Sequence, residues 1–298
     1  MSLLAHQGVI PLLGRTEFPV TVMESPFARK LSAFVALSGE ELDLLSTLYE
    51  RRRQFGSGRD LDRHGQVTQT AYILQSGWAC SYRLLPQGTR QIVDFQLPGD
   101  FLGLRSVLFR TADHQIEPVT DIEASEVRVS DLLMAFANAP RLAMAVLWAA
   151  SRDEAMVVEH LVGIGRRNAL HRTAHFLLEL GARLLLVGLG SKEEYACPLS
   201  QYMLADALGL SAVHINRVLR ELREMGLVTF QKGWVVFNDF DSLVALVEFD
   251  KTYLDHDGPL LRTATGVRPR TFTQQQRCLV PGPKIDGGLR VAQPPVTA

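Results

Sequence analysis

The stretch Ser-Ala-Val-His-Ile-Asn-Arg-Val-Leu-Arg-Glu-Leu, residues 211–222, concentrates the side chains best suited to chemistry. If the run is helical, Ile215, Val218, Leu219 and Leu222 recur at i, i+3, i+4 and i+7 and make one apolar stripe. Val213, His214, Asn216, Arg217 and Arg220 then share the opposite, outward face near the helix start. An arginine there can donate two hydrogen bonds to guanine O6 and N7, which is worth about 1–3 kcal/mol of discrimination between bases. His214 and Asn216 can reach phosphates or base edges, and Val213 can pack on a thymine methyl. Ala212 sits beside them in the first turn. The competing reading of Arg217 is a surface cation paired with Glu221 one turn on.

These residues need a scaffold, and the flanking sequence supplies one. Ser200 is a good N-cap for a helix from Gln201 to about Leu208, Gly209 can take the positive φ of a tight turn, and Ser211 caps the next helix. Counted from Gln201, residues Ala205, Gly209, Ile215 and Val218 stand at positions 5, 9, 15 and 18, the spacing of a DNA-binding helix-turn-helix. Leu227–Phe230 and Trp234–Phe237 are short apolar runs around Gln231-Lys232-Gly233, which predicts a hairpin. The whole is a winged helix, with Lys232 at the wing tip placed for a phosphate.

Other constellations are weaker. His171, His175 and Glu179 repeat every four residues on one helix face, a spacing compatible with zinc, but the run lacks the glutamate of a metalloprotease motif and a fourth ligand. A cupin-like metal enzyme would need a His-x-His pair, whereas His64 and His114 each stand alone. No nucleophile–base set or phosphate-cradling glycine loop is present, so the expectation is a protein that is not an enzyme and carries no metal. Cys80, Cys197 and Cys278 are too far apart for a metal knuckle. The net charge of −1 gives no global attraction to nucleic acid, so DNA binding rests on the local motif. Residues 160–236 carry nine Lys/Arg against six Asp/Glu, only mildly basic. Neither a signal peptide nor a membrane span is expected, which makes the cytoplasm the default location.

The rest of the chain predicts an α+β protein. Residues 1–26 read as an N-terminal arm. Phe27–Tyr49 reads as two helical pieces, with Ser38 and Glu41 as a capping box. From Arg52 to Ser130 the period changes to two. Trp78, Cys80, Tyr82 and Leu84 alternate with polar or small residues, Val93, Phe95 and Leu97 share a face, and Pro86-Gln87-Gly88 makes the turn between these strands. Many short strands predict an antiparallel β-barrel, assigned with its helices to residues 27–138. Residues 139–165 form one long helix whose stripe Leu142, Val146, Ala149, Asp153, Val157 and Leu161 is assigned to a homodimer interface, with Gly163 and Gly165 as a hinge. The winged helix spans 166–241. Residues 242–298 give a short closing helix reaching Tyr253 and a basic, disordered tail.

Together these parts resemble the Crp/Fnr family, the relatives of the cyclic-AMP receptor protein. The resemblance rests on Ala71–Leu104 (AYILQSGWACSYRLLPQGTRQIVDFQLPGDFLGL) and on Leu199–Phe237, and it extends over about Phe27–Asp241. It implies a cyclic-nucleotide-binding-like barrel, a dimerisation helix and a DNA-binding winged helix that reads an inverted repeat. It places an effector pocket at Gly99, Asp100, Phe101, Leu102, Gly103 and Leu104. Arg217 matches the family's base-reading arginine and Ser211 its phosphate-contacting cap. The departures matter. Leu104 stands where nucleotide binders carry the glutamate that holds the ribose hydroxyl, and residues 115–120 (QIEPVT) lack the phosphate-binding arginine. Cyclic AMP is therefore not expected to bind. With no cysteine before Cys80, an iron–sulfur cluster of the family's N-terminal type is not expected either. Val213 replaces the family's base-reading glutamate, so the target half-site should differ at that base pair. The expected partners are double-stranded DNA, a second copy of the chain and, for an activator, RNA polymerase. The competing reading is a barrel sensor acting by protein contact.

Overall fold

The computed structural model describes residues 25–61, 70–109, 112 and 114–256. The expected arm, His64 and the tail beyond His256 therefore lie outside the described residues, save for the end of the arm at Ser25–Pro26. Helix α1 (Pro26–Phe34) begins where Ser25 Oγ accepts the Ala28 N–H at 3.1 Å. Helix α2 (Gly39–Thr47) has the expected capping box: Ser38 N donates to Glu41 Oε2 at 2.7 Å and Glu41 N to Ser38 Oγ at 3.2 Å.

Among the described residues seven strands follow: β1 (Arg52–Phe55), β2 (Thr70–Ser76), β3 (Ala79–Leu84), β4 (Arg90–Gln96), β5 (Phe101–Leu102), β6 (Gln115–Pro118) and β7 (Ile122–Arg128). Helix α3 (Leu104–Leu108) lies between β5 and β6. The strands form two antiparallel sheets, ordered β1-β7-β2-β5 and β4-β3-β6, so the expected barrel is a roll of two sheets. Leu74, Ala79, Leu102, Ile116, Ile122 and Ala124 fill the space between them. The chain passes from one sheet to the other at Gly77. There φ is +80° and a Cβ would stand 2.3 Å from Asp121 O, so only glycine fits.

The expected alternation of β4 breaks at one residue. Ser81 pairs with Asp94 but Tyr82 with Ile92, leaving Val93 as a β-bulge. Ile92 and Phe95 are buried, and Val93 is half-buried. Cys80 and Ser81 are both buried although they are sequence neighbours, because this sheet is covered on both faces. Trp78, Cys80, Tyr82, Ile92 and Phe95 share one apolar cluster with the C-terminal half of the chain.

Helix α4 (Val129–Asn138) leads into α5 (Pro140–Arg166), 27 residues long with proline in its first turn. Gly163 and Gly165 lie inside α5, which continues through them. The helix breaks instead at Arg167 (φ −83°, ψ 144°), and Asn168 caps α6 (Ala169–Leu186).

The C-terminal half holds α6, β8 (Glu194–Ala196), α7 (Gln201–Leu208), α8 (Ala212–Glu224), β9 (Val228–Gln231), β10 (Trp234–Phe237) and α9 (Phe240–Val247), with strand order β8-β10-β9. Strand β8 lies between α6 and α7 and pairs with β10. The closing helix stops at Val247, short of Tyr253, because Glu248 takes φ +50° and Phe249 N turns back to Val244 O at 3.0 Å. A short 3-10 helix, Thr252–Leu254, follows. Among the described residues no helix is long and apolar enough to cross a membrane.

Candidate nucleic-acid interface

The two helices α7 and α8 are set by local chemistry. Ser200 Oγ accepts the Met203 N–H at 3.2 Å and Ser211 Oγ accepts the His214 N–H at 3.2 Å. Each satisfies one of the unpaired donors at a helix start and leaves neighbouring N–H groups free for a phosphate. Gly209 takes φ +62°, ψ 39°, and Leu210 N closes the turn on Ala205 O at 3.1 Å. Ala205 is buried where the helices meet, and Ile215, Val218 and Leu222 are at most 2% exposed.

The opposite side of α8 faces solvent. Val213 is 80% exposed, Asn216, Arg217 and Arg220 are exposed, and Ala212 and His214 are half-buried. Arg217 makes no ion pair with Glu221; its Nη2 donates to His214 Nε2 at 2.9 Å. Lys232 (φ +53°) and Gly233 (φ +76°) form the hairpin turn, both with positive φ as a type I′ turn requires, and Lys232 is exposed at its tip. Two aromatics that the sequence did not single out belong to the same unit: Tyr202 at the start of α7, 74% exposed, and Trp234 on the wing, half-exposed. Their side-chain type alone carries no signal, since most aromatics at such spacing are core.

The sensor sheet holds this unit in place. Arg90 on β4 donates from Nε to Asp206 Oδ2 on α7 at 2.9 Å and from Nη1 to Glu117 Oε2 at 3.0 Å. Gln91 Nε2 donates to Ala207 O at 3.1 Å. Arg172 Nη1 donates to Leu208 O at 2.6 Å, while its Nη2 donates to Ile164 O and Arg167 O at 2.9 and 3.0 Å. Deeper, Arg183 of α6 donates to Asp94 Oδ1, Asp100 Oδ2 and Phe95 O at 3.0, 2.9 and 2.8 Å. Lys30 Nζ meets Asp100 Oδ1 at 2.6 Å. Burial opposes the charge on Asp100, but Lys30 and Arg183 overcome it and hold the carboxyl well below the usual range. Glu179, fully buried, accepts from His160 Nε2 at 2.8 Å and Tyr253 Oη at 2.9 Å. Burial disfavours the His160 imidazolium, yet the Glu179 carboxylate raises its pKa above the ordinary value. The Glu179 oxygens of the zinc-spaced triplet are thus taken by protein donors.

Of the six residues assigned to an effector pocket, Asp100, Phe101, Gly103 and Leu104 line a cavity of about 490 Å3 between the sensor sheets and α5. Gly99 and Leu102 do not. Gly99 packs against Pro26 O, where a Cβ would stand at 2.9 Å, and Leu102 is core between the sheets. Arg105 and His114 line the same cavity and touch at 3.2 Å. Arg105 thus brings a cation to the cavity from outside residues 115–120, where none was expected, while Leu104 leaves it without the ribose-binding carboxylate. Cys80 is completely buried. Burial, with Glu117 nearby, pushes its thiol up to about 12, which leaves no thiolate for redox chemistry at neutral pH.

The stripe assigned to a dimer interface needs correction. Leu142, Val146 and Ala149 are 0%, 6% and 1% exposed, buried within this chain in one cluster with residues of α1, α2 and α4. Asp153 lies 3.5 Å from Lys30 Nζ. Only Val157 and Leu161, at 42% and 70%, face outward. The apolar face that α5 leaves open is instead Leu147, Val157, Val158, Leu161 and Ile164. The long helix starts inside its own sensor domain and emerges along its length, so one periodic stripe serves two surroundings.

Comparisons with known proteins agree with this arrangement. Residues 52–139 match the family profile of the cyclic nucleotide-binding domain, and residues 171–246 match that of the Crp-like helix-turn-helix domain. The chain is 30% identical over 196 residues to the nitrogen fixation regulation protein FixK of Bradyrhizobium diazoefficiens, covering 66% of this chain and 81% of that protein. It is 25% identical over 213 residues to the fumarate and nitrate reduction regulatory protein of Salmonella typhimurium, covering 70% and 84%. Among solved structures, FixK2 from Bradyrhizobium japonicum superposes with a TM-score of 0.59 at 26% identity, over 65% of this chain and 96% of that one.

Proposed function

Because the chain belongs to the Crp/Fnr family of DNA-binding transcription regulators, we propose that it works in the cytoplasm as a homodimer that reads an inverted-repeat operator. The observation that carries this reading is the split of α8: Ile215, Val218 and Leu222 are at most 2% exposed, while Asn216, Arg217 and Arg220 are exposed on the other side. A two-fold axis along the open α5 face of Leu147, Val158 and Leu161 supports a second copy, and two α8 helices would then enter major grooves about 34 Å apart. Arg217 reads a guanine, with His214, Asn216 and Val213 setting register and neighbouring base preference. Ser200, Ser211, Ala212 and Arg220 belong to the same contact face, and Lys232 contacts phosphate from the wing. Contact with RNA polymerase follows if the operator lies where an activator acts.

The sensor cavity is the effector site in this reading, and the effector is not cyclic AMP, since Leu104 cannot accept from a ribose hydroxyl. No metal or cluster takes part. Mobility-shift titration of labelled genomic fragments tests the DNA reading, with retarded complexes of two chains per duplex as the expected result. No shift at low salt would overturn it in favour of a sensor acting through protein contact. Isothermal titration with cyclic AMP tests the second point: micromolar affinity would refute it.

A further inference from the structure

The chain continues past α9 and returns to the long helix. The matched helix-turn-helix domain ends at residue 246, so this return lies beyond it. Asp250 Oδ1 accepts the Thr252 N–H at 2.9 Å and the Thr252 hydroxyl, which starts the 3-10 helix Thr252–Leu254. Three anchors then follow in three consecutive residues. Tyr253 donates its hydroxyl to Glu179 Oε2 on α6 at 2.9 Å, and its ring stacks on His175 at 6.0 Å and 14°. Leu254 is 5% exposed. The Asp255 carbonyl accepts from Trp148 Nε1 on α5 at 3.2 Å, and Trp148 in turn stacks on Phe34 of α1 at 4.7 Å.

The covalent joint between α5 and α6 is two extended residues, Arg167 and Asn168. Units joined at one point rotate relative to each other unless a sizeable apolar contact stops them. The sensor-side pair Arg90–Asp206 is partly exposed, with side chains 24% and 32% accessible, and such pairs hold weakly. The sensor sheet also holds the unit through the apolar cluster of Trp78, Cys80, Ile92 and Phe95 and through buried Arg183, and the return segment adds a separate attachment, to α5 itself.

We propose that residues 252–255 form a strap that positions the DNA-reading unit by tying it, from α6, to α5. The proposal rests on the DNA-binding reading for its purpose, but the strap itself is tested without DNA. Trypsin cuts after Arg166 and Arg167, at the exposed joint, faster when the helices beside it open. In the full-length protein, Tyr253→Ala combined with Leu254→Ala should speed that cut at least fivefold, while the exposed control Lys251→Ala leaves it unchanged. Tyr253→Phe loses only the hydroxyl contact and should give an intermediate rate, which keeps the test decisive if the double variant folds poorly. A second readout uses a duplex selected by the wild-type protein from a random pool. Lengthening its spacer by two base pairs should weaken wild-type binding at least tenfold and the double variant's by less than threefold. Unchanged cleavage in both Tyr253 variants overturns the strap. If neither wild type nor variant retards DNA while the cleavage rates differ as expected, the strap stands and the operator reading falls.

Discussion

Arg217 and His214 lie one turn apart on α8, joined by a 2.9 Å hydrogen bond from the guanidinium to the imidazole Nε2. The contact holds the arginine fork along the helix instead of letting it sweep freely, and it requires a neutral imidazole as acceptor. Arg217→Ala should weaken specific binding about tenfold or more and leave dimerisation intact. Arg217→Lys should not restore it, because an ammonium cannot make the two-pronged contact. Footprinting the three proteins on one operator decides: equal protection by Arg217→Ala would remove the arginine from base reading.

Leu161→Glu should convert the proposed dimer into single chains without unfolding the chain itself, since Leu161 is 70% exposed. Leu142→Glu, at a completely buried position, should instead unfold the sensor domain. Sedimentation velocity alongside circular dichroism separates the two outcomes.

Arg183→Met should destabilise the protein by roughly 3 kcal/mol or more, as it strands the buried Asp100 carboxylate and the half-buried one of Asp94. Urea unfolding measures this, and a shift below about 1 kcal/mol would mean that Lys30 alone suffices for Asp100.

Burial, with Arg167 nearby, lowers the His175 pKa to about 4 from an ordinary 6.5. The unfolded chain then binds more protons between those values, so this group's contribution is complete above pH 6.5 and is lost as pH falls toward 4. His160 has the opposite sign, being raised; its contribution is complete below 6.5 and is lost as pH rises through its folded value. Thermal midpoints of His175→Gln should therefore fall less than those of wild type from pH 7 to pH 5. A parallel fall in both would rule out this assignment.

Gly209→Ala should cost about 1 kcal/mol, because the nearest atoms leave room for a methyl but the backbone stays at φ +62°. Equilibrium denaturation reads this directly, and DNA affinity should follow only as far as the folded fraction does.

Features governed by near neighbours were legible in the sequence. The caps at Ser38, Ser200 and Ser211, the turn at Gly209 and the wing at Lys232–Gly233 each depend on residues within a few positions. What was hidden depends on distant partners. Lys30 and Asp100 are 70 positions apart and Asp100 and Arg183 are 83 apart, so nothing local announces a buried charge junction. The stripe of α5 has the right period for burial but cannot say which stretch is covered by its own chain, which is why Leu142 and Leu161 were assigned alike. Arg105 and His114 reach the cavity from α3 and the segment before β6, outside the residues 115–120 that the family pattern marks. The bulge at Val93 is hidden because Ile92 and Val93 are both apolar, so Val93, Phe95 and Leu97 still read as an unbroken period-two run.

A single guanidinium, Arg172, grips the last turn of α5, the break at Arg167 and the end of α7. It acts as the pin of a joint from which the reading rod swings. Tilting a rod about 20 Å long by about ten degrees moves its tip by roughly one base-pair rise. Small angular errors at this pin would put the two halves of an operator out of phase, so spacing tolerance in the target DNA becomes a gauge of how firmly one arginine holds.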